Sequence, residues 1–275
     1  MKTLFVSDLD GTLLDKNAQL CSATVKNINK LIEKGLFFTV ATARSPWSMV
    51  LLKHLNINCP AVLMNGVCIY DILSRSIIKT FELNDYIISI LLPIIHKLDL
   101  SGFLYAAADN TINVYYQNVT TKNAKVFMEH RIRQFGKSFI KTDFSGISVK
   151  RPIYYTVSDR YEVVLPLYNY VKNIKGLRAE FYRDIYNDNL WYLELLSDLA
   201  SKAIAVEYVK QNYGFGRVVA FGDNLNDLPL FACADYCLAV ENAHDDVKKH
   251  ADEIIESNTK NGVAKWLVKN YHKFI

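Results

Sequence analysis

No charge of one sign dominates this chain, and that narrows its partners. Its 32 basic and 28 acidic side chains leave a net charge of +4, scattered along 275 residues. No basic run with interleaved aromatics occurs, so no nucleic-acid surface is expected. Long apolar runs are lacking too. The longest, Ile87–Ile95, is interrupted by Ser89 and Pro93 and is too short to cross a bilayer, so no membrane partner is expected. Cysteines are few and odd in number: Cys21, Cys59, Cys68, Cys233 and Cys237. With no signal-peptide layout after Met1-Lys2, that count points to a reducing compartment and a cytoplasmic protein. No histidine or second cysteine pair near Cys233 and Cys237 completes a zinc set, so these are expected as small buried thiols. Repeats and low-complexity segments are absent. With 51% hydrophobic and 22% charged residues, the chain has the material for a packed core, in one large or two medium domains.

What is present is an alternation of apolar runs and amphipathic stretches. Thr3–Leu9 is an apolar run that leads into Asp8-Leu9-Asp10-Gly11. A helical pattern follows over Ser22–Lys34, stopped by Gly35, then a strand over Phe37–Ala43. Ser45-Pro46 reads as a helix start, and Ala61–Met64 as a third strand ending at Asn65-Gly66. This order predicts a parallel sheet with right-handed crossovers. From residue 82 to 188 the pattern changes to helices (Asp85–Leu98, Thr121–Phe135, Tyr161–Lys172) among tyrosine-rich strands (Gly102–Ala107, Thr111–Gln117, Ile153–Ser158, Gly176–Tyr182). From Asn189 the α/β rhythm returns, with a helix near Ala200–Asn212 and strands at Arg217–Phe221 and Cys237–Val240. The expected fold is α/β: a Rossmann-like parallel-sheet core of residues 1–81 and 189–275, interrupted by an α+β insertion of residues 82–188. Ligands of such sheets sit beyond the carboxyl ends of the strands.

Polar residues cluster at those ends. Asp8 and Asp10, two apart on an extended segment, face one side and repel unless a cation or proton intervenes. They suit a hard metal ion, or alternatively an Asx-type turn feeding Gly11. Gly222-Asp223-Asn224-Leu225-Asn226-Asp227 follows another apolar strand. Asp223 can add an oxygen to the same ion and Asp227 can support it, or Asn226 or Asp227 caps the helix starting at Leu228-Pro229. Thr42 and Arg44 stand at a third strand end, able to hold phosphate oxygens or another anionic substrate group, or else simply exposed. Lys202 sits in a helix's first turn behind Ser201, where a cation opposes the helix dipole unless an anion binds there.

In their order, Asp8-Leu9-Asp10-Gly11-Thr12-Leu13, Thr42, Lys202 and Gly222-Asp223 with Asn226-Asp227 resemble the haloacid-dehalogenase-like superfamily. Asn65-Gly66 and Asn258-Thr259-Lys260-Asn261-Gly262-Val263 resemble its Cof-like phosphatase branch, in which a large cap is inserted after the third core strand. That resemblance implies Asp8 as nucleophile and Asp10 as general acid, then base. It implies Mg²⁺ held by the Asp8 side chain, the Asp10 carbonyl and Asp223. Phosphate or other substrate groups would be held by Thr42, Arg44, Lys202 and Asn226 with backbone groups near Leu9 and Ala43, and by Asn65-Gly66. The branch commonly has glycine where this chain has Ala43 and Ala203; no catalytic side chain is missing. The implied activity is Mg²⁺-dependent hydrolysis of a small phosphorylated metabolite such as a sugar phosphate, through an aspartyl-phosphate. A sugar phosphomutase using the same nucleophile and a non-catalytic phospho-ligand sensor are the alternatives. Tyr182, Arg183 and Asn187, near the second junction, are the candidates for selecting the leaving group. Oligomeric state leaves no trace in the sequence.

Overall fold

Thr3–Ser7 (β1) is buried at every residue, as expected for a strand whose sheet is covered on both faces. The computed structural model describes residues 1–109, 111–135, 139–145, 149–184 and 189–274. After β1 the chain turns through Leu9–Leu13 and enters helix Ser22–Ile32 (α1), whose Thr24, Ile28 and Leu31 are buried at helical spacing. Strands Phe37–Val40 (β2), Ala61–Leu63 (β3), Cys68–Asp71 (β4) and Ser76–Thr80 (β5) follow. The insertion then contributes Asp85–Leu98 (α2), Gly102–Ala108 (β6), Thr111–Tyr116 (β7), Lys122–Phe135 (α3) and Phe139–Lys141 (β8). It continues with Pro152–Asp159 (β9), Tyr161–Val171 (α4), Leu177–Arg183 (β10) and Trp191–Ser197 (β11). The chain returns through Lys202–Asn212 (α5), Arg217–Gly222 (β12), Leu228–Cys233 (α6) and Tyr236–Val240 (β13). Asp245–Lys249 (α7), Glu253–Ile255 (β14) and Gly262–Asn270 (α8) complete it.

The first compact unit comprises Met1–Lys79 and Ala200–Ile275. Its sheet has the order β14-β13-β12-β1-β2, with every pair parallel. Register sets the function-bearing edge. Ser7 stands opposite Phe221 on one side and Val40 on the other, so the residues that follow these strands emerge together. The third predicted strand differs from expectation. β3 meets the parallel sheet through a single bridge, Ala41 to Val62, and otherwise pairs antiparallel with β4, because the chain reverses at Met64–Gly66.

The second unit, Thr80–Leu199, carries a sheet of order β10-β11-β9-β6-β7-β8, antiparallel except for the β7–β8 pair. One face buries Leu104, Tyr155, Leu193 and Leu195 against Leu91 of α2 and Leu167 of α4. Phe103, one residue from Leu104 and so on the opposite face, stacks on Phe127 of α3 at 5.0 Å. The return boundary falls after Leu199 rather than before Asn189. Trp191–Ser197 is fully paired between β9 and β10, which ties it to the inserted sheet. Together the two units form an α/β fold with a Rossmann-like core and an inserted α+β unit. Among the described residues no helix is long and apolar enough to cross a membrane.

Tyr155 is fully buried, and its hydroxyl finds no hydrogen-bond partner among the described residues. An unpaired buried hydroxyl carries its desolvation cost without return. Tyr155→Phe is therefore expected to raise the unfolding free energy by about 1 kcal/mol, read from urea denaturation.

Candidate active site

Asp8 sits where β1 ends. Its backbone N–H donates to the Phe221 carbonyl of β12 at 2.9 Å, extending the parallel ladder by one residue. Beyond it the chain turns through Leu9–Leu13, a turn broken by Asp10 in extended geometry (φ −75°, ψ 118°) and by Gly11 at φ +85°. Only glycine suits position 11: besides its left-handed φ, a Cβ there would stand 2.3 Å from Asp223 Oδ2. This close approach lets Thr12 Oγ1 donate to Asp223 Oδ1 at 2.6 Å. The Asp8–Asp10 pair predicted to face one side parts here. Asp8 is 5% exposed, whereas the Asp10 side chain is 51% exposed and bound by Arg44. The change of backbone direction through Leu9–Leu13 is the cause.

Lys202 enters from α5. Ser201 caps that helix as expected, its Oγ accepting from the Ile204 N–H at 3.0 Å. Lys202 itself is 1% exposed, and its Nζ donates to Asp8 Oδ1 and to Asp227 Oδ1, each at 2.6 Å. Burial works against its charge, but the fields of Asp8 and Asp227 outweigh it and hold the ammonium above its ordinary value. For Asp8 the balance goes the other way. Burial, reinforced by Asp227 and Asp223, pushes its carboxyl well up against the pull of Lys202. Asp223 is pushed up to about 6, chiefly by burial, with the Thr12 hydrogen bond opposing and Asp227 adding. Burial weighs on all three groups, and the fields between the acidic side chains and the one ammonium add to it or oppose it.

Asp8, Asp223 and Asp227 each offer a carboxylate oxygen, and these lie within 4.8 Å of one another. Hard oxygen ligands with uncompensated negative charge fit a divalent cation. Asp227 is already committed elsewhere. Oδ1 accepts from Lys202, and Oδ2 accepts from the backbone N–H groups of Asp223 (2.9 Å) and Asn224 (3.1 Å). It therefore orients the loop that presents Asp223, leaving Asp8 and Asp223 as the better-disposed ligands. The capping expectation needs correction. Asn224, not Asn226 or Asp227, supplies the side-chain cap, and it caps the short turn Leu225–Asp227 that precedes α6. Asp227 is the reciprocal half of that cap, its Oδ2 accepting from the Asn224 N–H while its Oδ1 meets Lys202.

The third strand end completes the cluster. Thr42 is 1% exposed, its N–H donates to the Val62 carbonyl at 2.9 Å, and its Oγ1 accepts from the Arg44 N–H at 3.2 Å. The hydroxyl proton is left for another acceptor. Ala43 is exposed and is not among the described residues with positive φ, so glycine is not required there. Ala203 lies within regular helix, where alanine is favourable. Asn65 stands in a run of left-handed residues, Met64, Asn65 and Gly66. Its N–H is tied to the Thr42 carbonyl, and its Oδ1 accepts from Asn226 Nδ2 at 3.3 Å. At Gly66 a Cβ would stand 2.2 Å from the Ser201 carbonyl, so this turn can lie directly on the start of α5. Leu9 is fully buried under the loop. Arg44, expected to hold substrate, instead pairs with Asp10 through Nε (2.6 Å) and Nη2 (2.5 Å).

Sequence reasoning missed the tether of the Asp8 loop. Asn242 Nδ2 donates to the Gly11 carbonyl, Asn242 Oδ1 accepts from the Asn258 N–H, and Asn258 Nδ2 donates to the Leu14 carbonyl. A signal was available, since Asn242 lies just past the carboxyl end of the predicted Cys237–Val240 strand. Of the leaving-group candidates, Tyr182 and Arg183 end β10 of the second unit, and Tyr182 stacks on Tyr192. Asn187 lies outside the described residues.

Comparison with known proteins agrees with this geometry. Residues 5–267 match a family model described as haloacid dehalogenase-like hydrolase. A Bacillus subtilis relative named 5-amino-6-(5-phospho-D-ribitylamino)uracil phosphatase YwtE is 26% identical over 275 residues, covering 94% of each chain. A haloacid dehalogenase-like hydrolase from Bacteroides thetaiotaomicron superposes with TM-score 0.78 at 22% identity, covering 98% of this chain and 100% of its own. A crystal structure from Thermotoga maritima gives TM-score 0.77 at 22% identity, covering 98% and 97%. With its motifs gathered at one sheet edge and the family match running almost end to end, the chain belongs to the haloacid dehalogenase-like hydrolases.

Proposed function

We propose that this hydrolase is a Mg²⁺-dependent phosphatase of small phosphorylated metabolites that works through an aspartyl-phosphate on Asp8. The carrying observation is the buried triad in which Lys202 bridges Asp8 and Asp227 beside Asp223. Asp8 has one oxygen held by Lys202, which leaves the other as the attacking atom. That oxygen forms a bond to phosphorus as the ester P–O bond breaks, and Asp10 gives its proton to the departing alcohol oxygen. In the second step Asp10, now a carboxylate, takes a proton from water. The water oxygen bonds to phosphorus, and the Asp8–phosphorus bond breaks to release phosphate.

Lys202 offsets charge on the transferring group, and the Thr42 hydroxyl and Asn226 amide are available to its oxygens. Mg²⁺ would be held by the side chains of Asp8 and Asp223 and the Asp10 carbonyl, and when bound it supplies further neutralisation of the phosphoryl charge.

The relative from Bacillus subtilis is named for a phosphate ester on a ribityl chain, which supports a sugar or sugar-alcohol phosphate as the substrate class here. Choice of leaving group is assigned to the inserted unit. Tyr105, Tyr154, Tyr182, Tyr192 and Glu194 share the face of its sheet opposite the one packed on α2 and α4.

A panel of sugar and polyol phosphates should yield phosphate with Mg²⁺ and none after chelation. Asp8→Asn should lower phosphate release by at least about 10³-fold, the scale of losing a covalent nucleophile. Unchanged turnover in that variant would exclude Asp8 as the attacking group. Metal binding has its own readout: saturating Mg²⁺ should stabilise the wild-type fold by about 2.7 kcal/mol at a hundredfold excess over Kd. Thermal unfolding of Asp223→Asn should lack most of that gain, and an equal gain would remove Asp223 from the ligand set.

A further inference from the structure

Arg44 is anchored more firmly than its partly exposed side chain suggests. Its N–H donates to Thr42 Oγ1, its carbonyl accepts from the Met64 N–H, and the Thr42 N–H is tied to the Val62 carbonyl. The backbone that carries the guanidinium is thus pinned between the ends of β2 and β3. From that anchor one edge of the guanidinium takes both oxygens of Asp10, Nε to Oδ2 at 2.6 Å and Nη2 to Oδ1 at 2.5 Å. A two-point fork of this kind sets the plane of a carboxylate as well as its position, which a point charge does not.

Asp10 has little else to orient it. Among the described residues no other side chain bonds its carboxylate, its side chain is 51% exposed, and the next residue is Gly11 in a left-handed turn. Without the fork, its two side-chain torsions would be held only by local rotamer preference. The fork also uses the edge of Arg44 best suited to grip an oxyanion, so the substrate-holding role expected from the sequence is left with the remaining guanidinium protons.

We propose that Arg44 is a positioning residue for Asp10, holding the acid/base carboxylate in register with the leaving-group oxygen and the attacking water, rather than a clamp on the phosphoryl group. This rests on the reading of Asp10 as the acid/base. The balance is simple: Asp10 loses its proton to the alcohol as the ester bond breaks, the resulting carboxylate is gripped by Arg44, and water returns the proton in the second step.

Leaving-group chemistry separates this role from phosphate binding. An alcohol such as that of ribose 5-phosphate needs a proton to depart, whereas nitrophenolate does not. kcat/KM reports the first transfer alone, before the aspartyl-phosphate is hydrolysed. Arg44→Gln should lower kcat/KM for ribose 5-phosphate by about 100-fold, and for p-nitrophenyl phosphate by no more than about threefold, since general-acid catalysis is lost only where it is needed. Arg44→Lys, which keeps the charge without the fork, should show the same selectivity and guards against a folding defect in the glutamine variant. In the double variant with Asp10→Asn, loss of Arg44 should add little to the loss from Asp10→Asn alone. Equal losses on both esters, or none on either, would overturn the proposal. Asp10→Asn measured alone tests the reading beneath it. If that variant does not discriminate between the two esters, the acid role of Asp10 fails; if it discriminates and the Arg44 variants do not, only the positioning role fails.

Discussion

The ammonium of Lys202 is the point on which the site depends. It is buried, it is bonded at 2.6 Å to two carboxylates, and those carboxylates belong to loops that follow different strands. Isolated charges in such a position would be costly, and removing one partner from a buried ionic set typically costs about 3–5 kcal/mol. Here the pairing draws Asp8 of the β1 loop and Asp227 of the β12 loop to the start of α5. Because the lysine satisfies only part of the acidity around it, the same interaction that organises the loops leaves a negative deficit suited to a hard cation.

Around that point the structure spends backbone hydrogen bonds and tight packing rather than further charge. Asp227 fixes Asp223 through two backbone N–H groups, while Thr12 fixes its carboxylate from the opposite loop. Asn242 and Asn258 hold the Gly11 and Leu14 carbonyls, so the turn after Asp8 is gripped on its outer side as well. Preorganisation of this kind matters for phosphoryl transfer, where positioning and charge stabilisation do most of the catalytic work. Asp10 stands apart. Its carboxylate lies outside the buried acidic group and belongs to the exposed pair with Arg44.

The two compact units solve different problems. In the first, parallel strands bring all their carboxyl ends to one edge, which is why residues far apart in the chain can meet there. In the second, an antiparallel sheet buries one face under α2 and α4 and leaves tyrosines and Glu194 on the other. Glu194 is itself pushed up, chiefly by burial, although hydroxyls of Tyr154 and Tyr182 bond to it and oppose the shift.

How much of this was legible beforehand follows the range of each interaction. The strand–helix alternation, the Ser201 cap and the residues placed at strand ends were all encoded by near neighbours in the chain. Periodicity and residue chemistry suffice for those. Strand β11 is not legible in this way, because its place depends on pairing with β9 and β10, and the boundary between the units depends on the same pairing. The preference of Asp10 for Arg44, the sharing of Lys202 by Asp8 and Asp227, and the asparagine tether were likewise undetermined until the register between distant strands was set. A sequence can supply the carboxylate, the ammonium and the guanidinium; which oxygen meets which nitrogen is decided only when packing brings their strands side by side.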